Sequence, residues 1–173
     1  MAAENAYGRV SVKEWDSLHP RWEELQAAID AAGQTRWVEF TAAWHRSSHL
    51  LVGLRDGTIV GFLRFVVQDI GAEDNATHLM PPDACGAART EAKILAFGVP
   101  EHWRRQGIGR ALQIAAIDRA RNLNCWQIRS FSDSPYDANH HLKLSLGYAA
   151  QVLNTERRKG IYFVLPLRYG TDQ

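Results

Sequence analysis

Apolar residues recur along this chain in two rhythms, one near 3.6 residues and one of 2, and their succession predicts a mixed α/β fold. "RVSVKEW" alternates as a short strand. In "LHPRWEELQAAIDAAG" the positions Leu18, Trp22, Leu25, Ala28, Ile29 and Ala32 keep helical spacing up to Gly33. "TRWVEFTAAWHRSS" predicts a second, shorter helix. Two β-rich runs flank Asp56-Gly57 in "HLLVGLRDGTIVGFLRFVVQDIG", a strong hairpin signal, so two antiparallel strands are expected there. The stretch from Gly71 to Thr90 is polar, small and broken by Pro81-Pro82, a loop of the length that is usually functional or disordered. "EAKILAFGVP" then resumes an apolar strand. Leu112, Ala115, Ala116, Ala120 and Leu123 mark one face of a helix, and "CWQIRSF" is a further strand. Strand, helix and strand make a βαβ crossover whose strands should run parallel. "SPYDANHHLKLSLGY" predicts a short helix with Asp137 as its cap and Gly147 at C′. "AAQVLNTERRKGIYFVLPL" closes the chain with a hairpin around a basic turn.

The 173 residues suffice for one domain, expected to span 1–173, with one principal site. Hydrophobic residues make up 46% and charged ones 23%, an ordinary globular balance. The formal charge of +1 supplies no global field toward nucleic acid or an anionic bilayer, so any anion must be held locally. The opening "MAAENAYGRV" lacks a basic region followed by an apolar one, and no run of eighteen apolar residues occurs. A cytoplasmic protein without a membrane partner is the expectation. Cys85 and Cys125 fit neither a disulfide framework nor a zinc cluster, and free thiols are expected.

The chemistry concentrates in "VPEHWRRQGIGRALQ", Val99 to Gln113, where the apolar strand meets the amphipathic helix through Gly107 and Gly109. Glycines at a helix start allow close approach, and N–H groups from about Arg105 to Arg110 can converge there with the positive end of the dipole behind them. Arg104, Arg105 and Arg110 add charge, which suits a diphosphate. A plain strand-to-helix turn with solvated arginines would look the same. Two other phosphate loops fit poorly: no Gly-Lys-[Ser/Thr] follows, as a P-loop needs. Leu112 holds the third glycine position of a dinucleotide fingerprint, and Arg129 stands near where its acid would be.

Arg104-Arg105-Gln106-Gly107-Ile108-Gly109 resembles the Arg/Gln-x-x-Gly-x-Gly/Ala loop of the GCN5-related N-acetyltransferase (GNAT) superfamily. The strand broken by Gly98, the helix that follows and the "LGY" of Leu146 to Tyr148, similar to the family's "LGF", extend the likeness over Glu91 to Tyr148. One departure is Pro100, which follows Val99 immediately. The resemblance implies a mixed, mostly antiparallel sheet with a central parallel βαβ unit and flanking helices. It implies acetyl-CoA as cosubstrate, no metal, and a diphosphate cradle of Arg104, Arg105, Gln106, Gly107, Ile108, Gly109 and Arg110. Pantetheine would pair with the backbone of Phe97 and Val99, with Gly98 as the bulge position. The acceptor would be a small-molecule or peptide amine, and members of the family are often homodimers.

For catalysis the resemblance implies direct attack by a neutral amine, aided by a base and by a proton donor for the thiolate. Glu91 is the candidate base, acting through water, although a solvated glutamate at a strand start reads the same; the family's acid often lies nearer Lys93. The family's tyrosine donor falls on Lys143, which leaves Tyr136, His140 and His141 as neighbours in sequence. Asn139 is a candidate for the pantetheine or adenosine part, with capping or turn formation as its alternative. Acceptor recognition is expected from the helices before His49 and the 71–90 loop, where Trp22, Trp37 and Trp44 supply aromatic surface; Trp22 also fits a core position. A non-catalytic acyl-CoA-binding protein is the alternative function, and a dinucleotide oxidoreductase a more distant one.

Overall fold

Asp56 and Gly57 both adopt left-handed backbone angles, φ 48° and 76°, which matches the twist of the strands they join. The computed structural model containing this hairpin describes residues 9–73, 82–83, 85–134, 138–156 and 159–168. Seven strands form one sheet: β1 (Ser11–Trp15), β2 (Ser47–Arg55), β3 (Thr58–Asp69), β4 (Thr90–Gly98), β5 (Gln127–Ser132), β6 (Ala149–Asn154) and β7 (Lys159–Pro166). Their spatial order is β1-β2-β3-β4-β5-β7-β6. Four α-helices are described, α1 (Trp22–Ala31), α2 (Thr35–Glu39), α3 (Ile108–Asn122) and α4 (Ala138–Ser145), with a 3-10 turn at Glu101–Trp103. The sheet is mostly antiparallel with one parallel pair, β4 and β5, as expected of the βαβ unit.

Two expected helices are shorter than their apolar patterns. α1 begins only at Trp22, two residues after Pro20, and Leu18 lies outside it at 87% exposure. α2 stops at Glu39, so Trp44 falls in the turn before β2. α4 ends in a Schellman motif at Gly147 (φ 90°), with the Tyr148 N–H donating to the Lys143 carbonyl at 3.1 Å. The expected cap Asp137 lies outside the described residues.

The chain divides into two compact units. The first takes residues up to Phe40, His49–Arg64 and Ala96–Ala116. Its core joins Leu25 and Ile29 of α1 to Leu50, Val52, Ile59 and Phe62, with Trp22 packed against them. Burying each such side chain contributes about 1.5–3 kcal/mol. The second unit takes Thr41–Ser48, Phe65–Leu95 and Ile117 onward. In it β5 pairs antiparallel with β7, which pairs with β6, and Ile128, Phe163 and Leu165 are buried.

Candidate active site

The turn between β4 and α3 takes its shape from two left-handed residues, Arg105 (φ 62°) and Gly107 (φ 80°). A left-handed conformation costs an ordinary residue about 1–2 kcal/mol, so Arg105 stores strain that the surrounding contacts must hold. A Cβ at Gly107 would meet nothing within 4 Å; the backbone angle, not crowding, requires glycine there. The first bond of α3 runs from the Ala111 N–H to the Gly107 carbonyl at 3.0 Å, so the N–H groups of Ile108 and Gly109 precede the helical ladder. Alternating backbone hands at a helix start form an anion-binding concavity. Gly109 itself has no left-handed angle, being the second residue of α3.

The side chains of this turn do more bracing than binding. Ile108 is buried at 1% exposure, so the core takes its side chain. Gln106 Oε1 accepts from Arg55 Nη1 at 2.5 Å, and its Nε2 donates to the His102 carbonyl at 3.1 Å. Arg55 also donates to the Gln106 carbonyl at 3.2 Å and lies 5.5 Å from the Trp103 ring. Buried Arg55 on β2, which the sequence reading missed, braces the turn; the register of the hairpin brings it there. Arg104 Nε donates to the Val99 carbonyl at 3.1 Å, engaging one of the groups expected to meet pantetheine. Arg105 and Arg110 are exposed.

Gly98 has a packing reason to be glycine. Its φ is not left-handed, but an added Cβ would lie 2.6 Å from Phe62 Cζ and 3.4 Å from Ala32 Cβ. The ring of Phe62 fills the space. β4 and β5 pair only from Glu91↔Gln127 to Ile94↔Ser130, although β4 runs to Gly98 and β5 to Ser132. The ladder therefore ends before the part of β4 that carries Phe97.

In the second unit, Glu91 is fully buried, which corrects the reading of a solvated glutamate at a strand start. Its oxygens accept from Arg129 Nη2 at 2.6 Å, Arg129 Nε at 3.0 Å, Gln127 Nε2 at 2.7 Å and Gln68 Nε2 at 3.0 Å. Glu73, which the sequence reading passed over, joins this cluster through Arg129 Nη2, Lys93 Nζ and Gln68 Nε2. Burial pushes the Glu73 carboxyl up, but Arg129 and Lys93 outweigh it and hold it below the usual carboxylate range. Burial likewise opposes the Arg129 charge, while Glu91 and Glu73 together raise its pKa.

Lys143 is almost fully buried on α4, its Nζ donating to Ser130 Oγ at 2.5 Å and lying 5.1 Å from the Phe163 ring. Ser130 closes the β4–β5 ladder, so the Lys143 Nζ sits at the point where the two strands part. One turn earlier His140, also buried, has Nε2 2.7 Å from Ser132 Oγ and its ring 4.9 Å from Phe163; only His141 is exposed. Asn139 is half-buried in the first turn of α4. Tyr136 lies outside the described residues, as do residues 74–81 and 84 of the 71–90 loop. Trp37 and Trp44 are 42% and 45% exposed. Burial raises the pKa of the Tyr148 phenol. Both cysteines are free, Cys85 exposed and Cys125 buried.

A family profile described as "Acetyltransferase (GNAT) family" matches residues 11–148. No curated protein sequence matches the chain. Among solved structures, the ribosomal-protein-S18-alanine N-acetyltransferase of Escherichia coli superposes with a TM-score of 0.60 at 15% identity, covering 95% of this chain and 99% of its own. NAA60 of Arabidopsis thaliana in complex with acetyl-CoA gives 0.62 at 12% identity, with 90% and 96% covered. Ard1 of Thermoplasma volcanium gives 0.59 at 18%, with 92% and 99% covered. At such identities the likeness is one of fold.

Proposed function

Because the chain belongs to the GNAT family of acetyltransferases, we propose that it is an acetyl-CoA-dependent N-acetyltransferase acting on an amine by direct transfer. The observation that carries this reading is the turn from Arg104 to Gly109, with left-handed Arg105 and Gly107 leading into α3. Its N–H groups would hold the diphosphate, and the charges of Arg104, Arg105 and Arg110 would add to the helix dipole. Arg55 keeps the turn in shape through Gln106. Backbone groups of Phe97 and Val99 would receive pantetheine beyond the end of the β4–β5 ladder. Acetyl-CoA supplies the thioester on which transfer depends.

Lys143, held by Ser130, would donate the proton that the thiolate takes as the C–S bond breaks, while the proton shed by the amine as the C–N bond forms passes to solvent, from which Lys143 is recharged. Glu91 and Glu73 are spent on Arg129 and Lys93, so neither is free to serve as base. The acceptor therefore reacts from its own neutral fraction, and kcat/KM should climb with pH toward the pKa of that amine. The reading treats the chain as one cytoplasmic acetyl-CoA-binding domain with a small-molecule or peptide acceptor and needs no metal. Among the described residues no helix is long and apolar enough to cross a membrane.

Calorimetry with acetyl-CoA, CoA and NAD tests the cofactor, and a panel of amines assayed for released thiol tests turnover. Binding of CoA species with acceptor-dependent thiol release is expected. Binding of NAD alone would overturn the proposal. The burial of Glu91 favours a second reading, an acyl-CoA-binding protein without turnover, which binding in the absence of thiol release across the panel would establish.

A further inference from the structure

Lys93 and Arg129 are direct partners in the parallel ladder of β4 and β5, so two cations face each other across neighbouring strands. Like charges in that relation push strands apart, the more so away from bulk water. Their side chains are only 13% and 11% exposed, and solvent screens them poorly. The next pair, Ile94↔Ser130, is the last of the ladder. The repulsion thus falls one residue before the point where the strands part.

Two carboxylates answer it from different directions. Glu91, in β4 itself, takes the Nε and Nη2 edge of Arg129. Glu73 comes from the turn after β3 and reaches both cations at once, Lys93 with Oε2 and Arg129 with Oε1. Gln68 of β3 donates to both carboxylates at 3.0 Å and fixes their spacing. The ring of Tyr162 from β7 lies 4.8 Å from the Arg129 guanidinium. Glu91 takes Arg129, and Glu73 bridges both cations.

We infer that Glu73 is a positioning residue for the proposed transferase: a clasp across Lys93 and Arg129 that fixes where β4 and β5 separate. The inference rests on the acetyl-CoA reading for its functional consequence, since the separation sets how β4 presents Phe97 and Val99 to pantetheine. It does not rest on that reading for its structural content. The carboxylate touches no reacting atom, and its effect passes through Lys93 and Arg129.

The test is a pair of variants of the full chain, E73Q and E73Q/K93M. In E73Q the two cations lose their common counter-charge, the ladder end loosens, and KM for acetyl-CoA rises about tenfold, as expected for a shift of a fraction of an ångström in a binding strand. KM for the acceptor changes less. In E73Q/K93M the repulsion is gone and Arg129 keeps Glu91, so KM for acetyl-CoA returns to within about twofold of wild type. A merely space-filling role for Glu73 would not be rescued by altering Lys93. Amide exchange at Ile94 and Ser130 reads the same ladder without cofactor: faster in E73Q, restored in the double variant.

A double variant as impaired as E73Q in both readouts overturns the inference. If E73Q fails to fold, the double variant decides: native exchange supports the clasp, and failure to fold refutes it. Wild-type protein that binds no acetyl-CoA would remove the proposed function and leave the exchange test standing.

Discussion

Replacing Gly98 with alanine puts a methyl group where Phe62 already is. The ideal Cβ lies 2.6 Å and 2.7 Å from Phe62 Cζ and Cε1, and 3.4 Å from Ala32 Cβ on the other side. Carbon atoms rest about 3.5–4.0 Å apart, so the ring must retreat by about 1 Å. It has little room: Phe62 is 1% exposed and shares its cluster with Leu25, Ile29 and Ala96, at the density of a protein interior. Overpacking of this kind costs about 1–3 kcal/mol, and a clash this close belongs in the upper half. Because the Gly98 backbone is not left-handed, alanine brings no strain and recovers about 0.4–1 kcal/mol through the unfolded chain. The net loss is about 1–2.5 kcal/mol, or a fall in Tm of about 2–10 °C for a chain of this length.

Thermal and urea unfolding would measure it, alone and in a Phe62→Leu background. The shorter side chain frees the contested space, so Gly98→Ala should cost at least about 1 kcal/mol less there than in the wild type. A Tm unchanged by Gly98→Ala, or strictly additive costs, would refute the packing argument and return Gly98 to a backbone role.

Gly107→Glu should abolish CoA binding in calorimetry while lowering stability by only about 1–2 kcal/mol, because its side chain meets open space and only the left-handed angle resists it; wild-type affinity would remove the cradle. Lys143→Met should lower kcat with little change in KM for acetyl-CoA, and equal losses in both would make Lys143 a structural group. Tyr148 is held neutral in the fold by burial, so its contribution is complete below about pH 10 and is lost as pH rises and the unfolded phenol ionises. Tyr148→Phe should flatten that alkaline limb of urea stability, and an unchanged limb would assign it to another group. Glu73, held below the usual carboxylate range, stabilises the fold above about pH 4.3 and less as pH falls further; Glu73→Gln should blunt the acid limb of thermal unfolding.

What could be read from the residues was whatever local chemistry decides. The Asp56-Gly57 turn, the Gly147 helix end and the βαβ unit each depend on a few adjacent positions. Strand order does not. β6 and β7 form the expected hairpin, yet β7 takes the inner position beside β5 and leaves β6 at the edge. A signal for this was present: "IYFVL" of β7 is more apolar than "AAQVLN", and β6 is almost wholly exposed. The more apolar member of a hairpin gains more from the buried place. Leu18 shows the opposite error, since helical spacing counted it as apolar face although α1 begins beyond Pro20.

The candidate site divides along the same line. The turn proposed to hold the diphosphate was legible because its glycines, its arginines and the helix start are contiguous in sequence. The cluster of Glu73, Lys93, Glu91 and Arg129 was not, since each residue taken singly looks like a solvated charge. Glu91 and Lys93, two residues apart in β4, share one face, but whether that face meets water depends on what lies opposite. Burying a lone charge is prohibitive, and burying four is tolerable only when each is paired. Pairing is a property of register: Lys93 beside Arg129 and Gln127 beside Glu91, with Glu73 arriving from the turn after β3. The register turned Glu91 into an anchor of the Arg129 guanidinium.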